Sequence, residues 1–181
     1  MAKVATSSVT PSDLHEVASG IFYASRSFVL LDTAIIAFLK ERARSNPMRR
    51  ARICAHPSPE DDQHDMLIVS HHDTYVAPHR HLTKSESFFV IEGAVTALLF
   101  AENGQNVEQF PMGSADSGCP FFYRMPARQY HSIAIESELL VFAESTKGPF
   151  RPDDLENASW APGPQDLLAG RAFIAAVRSN R

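Results

Sequence analysis

The stretch YVAPHRHLTKSESFFVIEG, Tyr75–Gly93, decides how this chain is expected to fold and what it is expected to hold. It contains two histidines two positions apart, His79 and His81, and then Glu86 after a polar turn. Side chains two apart on an extended strand point to the same side, about 6.5 Å apart along its axis. The two imidazoles can therefore approach one ion while Arg80 faces away, and the turn can bring the carboxylate of Glu86 back beside them.

The residues after Glu86 are typical of a strand that is buried on both faces. Phe88 and Val90 share the face of Glu86, whereas Phe89 and Ile91 point the opposite way, because side chains alternate along a strand. We expect one face to line the inside of a barrel. The other face needs an N-terminal helix or a second subunit to cover it, so the sequence predicts a homodimer.

A further ligand is expected from PARQYH, Pro126–His131, at the end of a strand-like run. Imidazole nitrogens combined with a carboxylate oxygen suit one divalent transition ion, such as Zn, Fe, Ni, Co or Mn. A lone HxH pair is weak evidence, since the chain has eight histidines. The longer pattern is more specific, and it predicts a metal site with positions left open for water or substrate. The predicted ligands are His79, His81, Glu86 and His131.

Short β-like segments dominate the chain from Ala51 onward, separated by turn residues such as Asn103-Gly104. Eight segments rich in β-branched or aromatic residues are expected to form strands: 65–69, 74–76, 87–91, 95–100, 107–110, 121–125, 132–135 and 139–142. Strands this short and this evenly spaced favour a sandwich or a small barrel.

Helices are expected on either side of these strands. Asp32 can cap a helix that ends at Asn46-Pro47, and its apolar face is formed by Ile35, Ile36, Leu39 and Ala43. A second helix is predicted over 165–178, with packing residues Leu167, Leu168, Phe173, Ile174 and Val177. Trp160 is expected to anchor the tail.

These segments divide the chain into three predicted parts. Residues 1–50 form an N-terminal helical extension packed on the barrel, 51–145 form the barrel, and 146–181 form an irregular tail with a terminal helix. The first two dozen residues, which are rich in Ser and Thr, are expected to be only partly ordered.

Composition excludes several classes of protein. The chain has 181 residues, 44% of them hydrophobic, and a formal net charge of -4, so it lacks the basic excess that nucleic acids attract. No apolar run reaches the roughly 20 residues that cross a bilayer, and the N-terminal stretch does not resemble a signal peptide. We therefore expect a cytoplasmic protein with no nucleic-acid or membrane partner, in which Cys54 and Cys119 are reduced thiols.

Several polar residues around the second half of the site are candidates for contacts with a small polar substrate. The candidates for substrate binding are Arg52, Tyr123, Arg128, Gln129 and Tyr130. Arginine forks such as that of Arg52 suit the carboxylates or phosphates of anionic sugars. Because Glu86 is expected to be a ligand, the candidates for proton transfer are Tyr123, Tyr130 and a metal-bound hydroxide.

Four other histidines are expected to be edge or surface residues and not ligands. His71 and His72 are adjacent, so on a strand they are expected to face opposite sides and not to share an ion. His56 and His64 flank a loop rich in Pro and Asp, HPSPEDDQH, and are expected to be exposed to solvent.

The pattern of motifs resembles the cupin superfamily. Its first motif, G(x)5HxH(x)3-4E(x)6G, is matched by His79, His81, Glu86 and Gly93, and its second, G(x)5PxG(x)2H(x)3N, by Pro126 and His131. The departures fall at turn and support positions, namely Asp73, Pro120, Arg128 and Ile135. The resemblance implies an all-β fold, the cupin double-stranded β-helix or jelly-roll barrel, here with the helical segments described above.

Within that superfamily the chain is similar to the WbuC-type cupin fold metalloproteins, which occur with bacterial O-antigen and polysaccharide genes. The similarity covers roughly Phe28–Pro162 and includes the stretches TYVAPHRH, KSESFFVIEG, KGPF and WAP. It implies a bound transition metal and a dimer.

Three functions follow as hypotheses. The first is a metal-dependent isomerase or epimerase of a sugar or nucleotide-sugar, in which the ion acts as a Lewis acid. The second is an Fe(II) or Ni(II) dioxygenase, which uses the same ligands but consumes oxygen. The third is a metal-loaded module that binds a sugar without converting it.

Overall fold

Two β-sheets form the body of the protein in a computed structural model, which describes residues 7–105 and 107–179. The strands are β1 (Leu14–Ala18), β2 (Ile21–Ala24), β3 (Arg50–Cys54), β4 (Gln63–His71), β5 (His79–His81), β6 (Glu86–Glu92), β7 (Ala94–Phe100), β8 (Glu108–Gly113), β9 (Phe122–Met125), β10 (Tyr130–Ile135), β11 (Leu139–Lys147) and β12 (Leu155–Asn157). The helices are α1 (Thr33–Ser45) and α2 (Leu167–Ser179).

The strand order identifies the fold. One sheet has the order β1-β2-β3-β4-β11-β6-β9 and the other the order β12-β5-β10-β7-β8. The chain passes from one sheet to the other several times, and β2 and β3 form the one parallel pair among the described strands. This is the jelly-roll arrangement of the cupin fold, so the predicted all-β barrel with added helices is confirmed.

The space between the sheets is filled by the inward faces of the strands. Phe88 is 2% exposed and Val90 is fully buried, and both pack with Ile133, Leu140 and Phe142. The alternation predicted for this strand is therefore confirmed on its inner face, because Glu86 lies on the same face and begins the strand.

Helix α1 covers part of the outer face of the seven-stranded sheet. Its cap is the predicted one, since Oδ1 of Asp32 accepts from the backbone N–H of Ala34 at 3.0 Å and of Ile35 at 3.2 Å. Ile35, Leu39 and Ala43 are fully buried against the sheet. The helix therefore forms where the sequence predicts it.

The N-terminal part of the chain is more regular than expected. The prediction of partial order for the first two dozen residues is wrong for those described, because β1 and β2 form a hairpin and β2 pairs with β3. Residues 1–6 of the predicted N-terminal extension lie outside the described residues. The strand predicted over 74–76 is also wrong: Tyr75 lies in an irregular segment, and its hydroxyl donates to the carbonyl of Pro162 at 2.7 Å.

Helix α2 packs on the outer face of the five-stranded sheet. Phe173, Ile174 and Val177 contact its apolar surface, and the ring of Trp160 lies 5.1 Å from that of Phe100. Leu168 is 82% exposed, so its predicted packing role is wrong. Within the described ranges, neither helix is long and apolar enough to cross a membrane.

Candidate metal centre

The imidazoles converge because two strands of one sheet place them opposite each other. His131 on β10 pairs directly with His79 on β5, and their ring centroids are 4.5 Å apart. Glu86, at the start of β6 in the other sheet, extends its carboxylate between the rings. Its Oε1 is 3.1 Å from Nε2 of His131 and its Oε2 is 3.3 Å from Nε2 of His81. The structure thus brings ligand atoms of His79, Glu86 and His131 within 4.8 Å of one another, and His81 adjoins this group through its contact with Glu86.

Backbone carbonyls fix the tautomers of two of these histidines. Nδ1 of His79 lies 2.9 Å from the carbonyl of Ala77, and Nδ1 of His131 lies 2.9 Å from that of Gln129. A carbonyl can only accept, so each Nδ1 carries the hydrogen and donates it. Each Nε2 then presents a lone pair to the interior, which is the usual arrangement of a metal-binding histidine.

The imidazole nitrogens and carboxylate oxygens that could bind a metal face one another without hydrogen bonds between them. Nε2 of His131 is buried and has no hydrogen-bond partner in the described part of the chain, although Oε1 of Glu86 is 3.1 Å away. One ligand atom each from His79, Glu86 and His131 lies within 4.8 Å of the others. Acceptor atoms at this separation repel one another unless a cation or a proton lies between them. The donor set therefore fits a divalent transition ion.

The protonation states also suit metal binding. Burial lowers the pKa of His79 to about 4, so its imidazole is neutral at pH 7. Burial alone would raise the pKa of Glu86, but the imidazoles of His131 and His81 hold it well below its usual range. Burial would lower the pKa of His131, but Glu86 raises it above its usual value. A proton and a metal ion therefore compete for Nε2 of His131.

Asp154 lies behind His81 in the C-terminal segment, a placement that sequence reasoning missed. Its Oδ1 accepts from the backbone N–H of Thr83 at 2.8 Å. Its Oδ2 lies 3.8 Å from Nδ1 of His81, beyond hydrogen-bond distance, and both atoms are buried without a hydrogen-bond partner in the described part of the chain. Strand β12 places it there by pairing with β5, where Leu155 is opposite His81. A carboxylate behind a ligating imidazole orients the ring and raises its basicity. No spacing along the sequence indicates this contact.

One glycine of the cupin motifs is retained as Gly93, and another is replaced by Arg128. Gly93 has a φ of 94°, and a Cβ there would lie 2.4 Å from Oγ of Ser137, so only glycine fits. Arg128 stands where the second motif has glycine and adopts a φ of 69°. Its backbone N–H donates to the carbonyl of His81 at 2.7 Å, while its side chain is exposed. The backbone geometry of the motif is therefore kept without the glycine.

Tyr123 is the one predicted tyrosine that touches the cluster. Its hydroxyl donates to Oε1 of Glu86 at 3.2 Å, and its ring stacks on Phe88 with centroids 4.9 Å apart. Burial, together with the charge of Glu86, raises the pKa of Tyr123 well above its usual value. At neutral pH this group is therefore a hydrogen-bond donor and not a base.

Tyr130 points to the opposite side of β10 from His131, and Gln129 precedes the strand. Tyr130 bonds to Glu156 through its hydroxyl, and the guanidinium of Arg80 lies 4.4 Å from its ring. The side-chain amide of Gln129 donates to the carbonyls of Phe100 and Tyr130, each at 2.9 Å. The structure does not bring either side chain to the imidazoles, and Arg80 faces away from them as predicted.

Glu144 is a further acidic group on the inner wall that sequence reasoning missed. Glu144 on β11 pairs with Phe88 on β6, two residues along each strand from the pair formed by Thr146 and Glu86. Among the described residues no hydrogen bond or ion pair holds its carboxylate. Burial and the charge of Glu86 raise the pKa of Glu144 to about 7. The predicted strand ended at Phe142 because the residues that follow are polar, although β11 continues to Lys147.

The loop between β3 and β4 does not behave as expected. His56 is 7% exposed and His64 is 5% exposed, and their rings stack with centroids 4.0 Å apart. The predicted solvent exposure of both residues is therefore wrong. His56 also meets the ring of Tyr23 edge-on at 5.5 Å. His56 in the loop and His64 at the start of β4 thus both point inward.

A second cluster joins His71, His72 and Asp73, whose potential ligand atoms lie within 4.8 Å of one another. The expectation that the two histidines face opposite sides is wrong, because β4 ends at His71 and the turn brings the rings to 4.1 Å. Arg49 already occupies this cluster, since its guanidinium lies 2.8 Å from Nε2 of His71.

Part of the chain matches a family model, and its fold is similar to several solved structures. Residues 31–112 match the model of a domain of unknown function, DUF6016. No curated protein matches. The structure is similar to CapF, a capsular polysaccharide assembling protein from Staphylococcus aureus, with 18% identity, a TM-score of 0.49, and coverage of 60% of this chain and 31% of CapF.

Two other solved structures are similar at the same level. A mutant of Bacillus subtilis oxalate decarboxylase OxdC has 15% identity and a TM-score of 0.47, and the match covers 60% of this chain and 27% of the enzyme. Protein SO0799 from Shewanella oneidensis has 15% identity and a TM-score of 0.48, with 69% and 77% covered. The chain thus spans about a third or less of CapF and of the decarboxylase.

Strand order and donor set together define the class of protein. The chain has the cupin fold, with three histidines and one glutamate gathered inside the barrel as a candidate site for a divalent transition metal.

Proposed function

We propose that this chain is a WbuC-type cupin metalloprotein that isomerises or epimerises a sugar or nucleotide-sugar in bacterial O-antigen or polysaccharide biosynthesis, in the cytoplasm. The observation that carries the metal is the unpaired, buried Nε2 of His131 facing Oε1 of Glu86 at 3.1 Å. The resemblance of the motifs and flanking segments supports the sugar pathway.

The proposed ligands are His79, His81, Glu86 and His131. An ion held there supplies a Lewis acid for a carbonyl or for vicinal hydroxyls. Tyr123 holds the carboxylate of Glu86 by donating its single hydroxyl hydrogen to Oε1. Tyr130 and Gln129 then have structural roles, because their polar groups form hydrogen bonds with other residues of the protein.

Glu144 is the proposed proton acceptor. An isomerase or epimerase must remove a proton from carbon, and Glu86 cannot serve because it is a ligand. Glu144 is two residues from Thr146, which pairs with Glu86 across β11 and β6. No group among the described residues forms a hydrogen bond or ion pair with the carboxylate of Glu144. The substrate would therefore lie between the metal cluster and β11.

The first test is the metal content of protein purified without chelator and without nickel affinity. We expect about one transition ion per chain, and loss of the ion in His79→Ala and His131→Ala with the fold retained. His72→Ala, in the second cluster, is the matched control and keeps its metal. Full occupancy in both His79→Ala and His131→Ala would contradict the ligand assignment.

The second test follows a panel of nucleotide-sugars in D2O by proton NMR under nitrogen and under air. We expect the wild-type protein to exchange a carbon-bound proton of the substrate for deuterium under either gas. The Glu144→Gln variant should show no such exchange. Turnover that requires oxygen identifies the dioxygenase instead. Ligand-dependent stabilisation without turnover under either gas identifies the non-enzymatic binding module.

A homodimer remains part of the proposal. Phe89 is 39% exposed, Phe121 is 40% exposed and Phe122 is 52% exposed, and the rings of Phe89 and Phe121 lie 5.4 Å apart. These rings form an apolar patch on the outer face, which a second copy of the chain would cover. Light scattering should give the mass of a dimer, and Phe122→Ser should shift it toward that of a monomer.

A further inference from the structure

Arg52 is placed on the inner wall of the barrel by the alternation of β3. Ala51 and Ile53 face α1 and are buried in the outer core, so Arg52 and Cys54 point the other way. Cys54 packs in the inner core with Met66, its partner on β4. The guanidinium of Arg52 is therefore inside the protein, on the same wall as Glu144.

This arginine differs from those on the outer surface. Seven described arginines have a carboxylate oxygen within 4.0 Å, namely Arg26, Arg42, Arg44, Arg49, Arg80, Arg151 and Arg178. Among the described residues, Arg52 has no such partner, and four other arginines also lack one, namely Arg50, Arg124, Arg128 and Arg171. Nε is buried without a hydrogen bond in Arg52, Arg80 and Arg178, so in the described part of the chain Arg52 alone combines a buried, unpaired Nε with the absence of a carboxylate partner. A guanidinium that is partly removed from water normally has its donors paired, since an unpaired buried charge is costly.

The surrounding charges do not neutralise it. Lys84 is only 9% exposed and also lacks a carboxylate within 4.0 Å in the described part of the chain. Glu86 and Glu144 are the nearby carboxylates of the inner wall, and neither lies within 4.0 Å of the guanidinium of Arg52 among the described residues. The donors of Arg52 are therefore left without an anionic partner in the described part of the chain, and a divalent ion at the histidines would add further positive charge.

We propose that Arg52 is the receptor for an oxyanion, so that the ligand of this barrel is an anionic sugar derivative bearing a carboxylate or a phosphate. The planar guanidinium binds either group through two parallel hydrogen bonds. The identity of the sugar rests on the proposed function, whereas the oxyanion site rests on Arg52 alone and does not require the metal. An oxyanion at Arg52 also brings the adjoining part of the ligand toward Glu144.

The experiment uses the full chain stripped of metal by chelator, so that anions cannot bind through an ion. Three probes are titrated by calorimetry: glucose 1-phosphate, glucuronate and glucose. We expect at least one charged probe to bind about tenfold more tightly than glucose. Phosphate selectivity points to a sugar phosphate or nucleotide-sugar, and carboxylate selectivity to a sugar acid.

The variants are Arg52→Gln and, as the matched control, Arg44→Gln on the outer face, where Arg44 pairs with Glu41 and Glu138. Arg52→Gln should weaken the charged probe about tenfold, and Arg44→Gln should leave it unchanged. Arg52→Lys keeps the charge and loses the fork, so an intermediate loss is expected even if Arg52→Gln does not fold. Equal affinity for the three probes, no binding of a charged probe, or a charged-probe affinity unaltered in Arg52→Lys overturns the proposal.

The same titration separates this proposal from the proposed function. Charged probes that bind the stripped protein through Arg52, in a chain that converts no nucleotide-sugar, leave the oxyanion site standing and remove the reaction. Metal-dependent turnover that is unaffected by Arg52→Lys removes the oxyanion site and leaves the reaction.

Discussion

The two histidine clusters of this protein contain similar side chains but differ in how those side chains are held. In the first, His79 and His131 have their Nδ1 hydrogens bound by backbone carbonyls and turn their Nε2 atoms toward one carboxylate. In the second, His71 lies against the guanidinium of Arg49, and His72 points to solvent. Closeness of ligand atoms is therefore shared by both clusters and does not distinguish them.

Orientation and unmet hydrogen-bonding capacity distinguish the clusters. Nε2 of His131 is buried and unpaired in the described part of the chain, so a cation there removes a cost. Nε2 of His71 already faces Arg49 at 2.8 Å, so a cation there would have to displace a positive charge. We infer that the first cluster binds metal and that the second does not.

The largest expected effect comes from removing one imidazole of the first cluster. His131→Ala should reduce the metal bound to purified protein to about a tenth or less, since a buried ligand is lost and its position is left apolar. His71→Ala, the matched change in the second cluster, should leave the metal content unaltered. Elemental analysis of both variants makes the measurement. Equal losses in the two would show that the comparison is wrong.

A smaller effect is expected from the carboxylate behind His81. Asp154→Asn should weaken metal binding about 10-fold to 100-fold, because the ring of His81 loses a negatively charged neighbour. Competition with a chelator of known affinity measures the change. Asp73→Asn alters the carboxylate of the second cluster and should have no effect. An unchanged affinity in Asp154→Asn would remove this residue from the site.

Glu144 should make the stability of the metal-free protein depend on pH. The pKa of Glu144 is about 7 in the folded protein, whereas the ordinary value of a glutamate is 4.5. Between these two pH values the folded chain therefore holds more protons at this group than the unfolded chain does. The free energy of unfolding therefore falls as pH rises through this interval. His131 acts in the same direction because its pKa is raised, whereas the lowered pKa of His79 acts in the opposite direction.

The difference between wild type and Glu144→Gln isolates the part due to this carboxyl. Urea unfolding at pH 5 and pH 8 should show a smaller loss of stability in the variant than in the wild type. Glu138→Gln, which alters an outer carboxylate paired with Arg44, should lose as much stability between pH 5 and pH 8 as the wild type does. A wild type and a Glu144→Gln protein with the same pH dependence would mean that Glu144 is not held in the interior as described.

Local patterns were sufficient to predict the parts of the fold that depend on local burial. The apolar face of α1 is contained in thirteen helical residues and its cap, Asp32, directly precedes them, and the alternation of Phe88 and Val90 is contained in one strand. The pattern HxHxxxxE likewise spans a single turn. Such features are determined by neighbours in sequence, so the sequence indicates them directly.

Contacts between distant segments could not be predicted in this way. Asp154 reaches His81 only because β12 pairs with β5, and Glu144 reaches the site only because β11 continues through polar residues. Those residues looked like the end of a strand because a core strand is expected to be apolar, whereas this end of the barrel is polar. The adjacent pair His71 and His72 was misjudged for a related reason, since the prediction assumed a strand where the chain turns.

The smallest expected effect tests where the first cluster ends. Tyr123 donates to Oε1 of Glu86 at 3.2 Å, and its ring stacks on Phe88, so Tyr123→Phe removes one hydrogen bond and keeps the packing. The lost bond is worth about 1 kcal/mol, which corresponds to a roughly fivefold weaker metal affinity. Chelator competition on Tyr123→Phe beside His131→Ala makes the comparison. If Tyr123→Phe lost its metal as completely as His131→Ala, the hydroxyl would itself be a ligand, and the boundary between donor atoms and supporting atoms would have to move outward to include it.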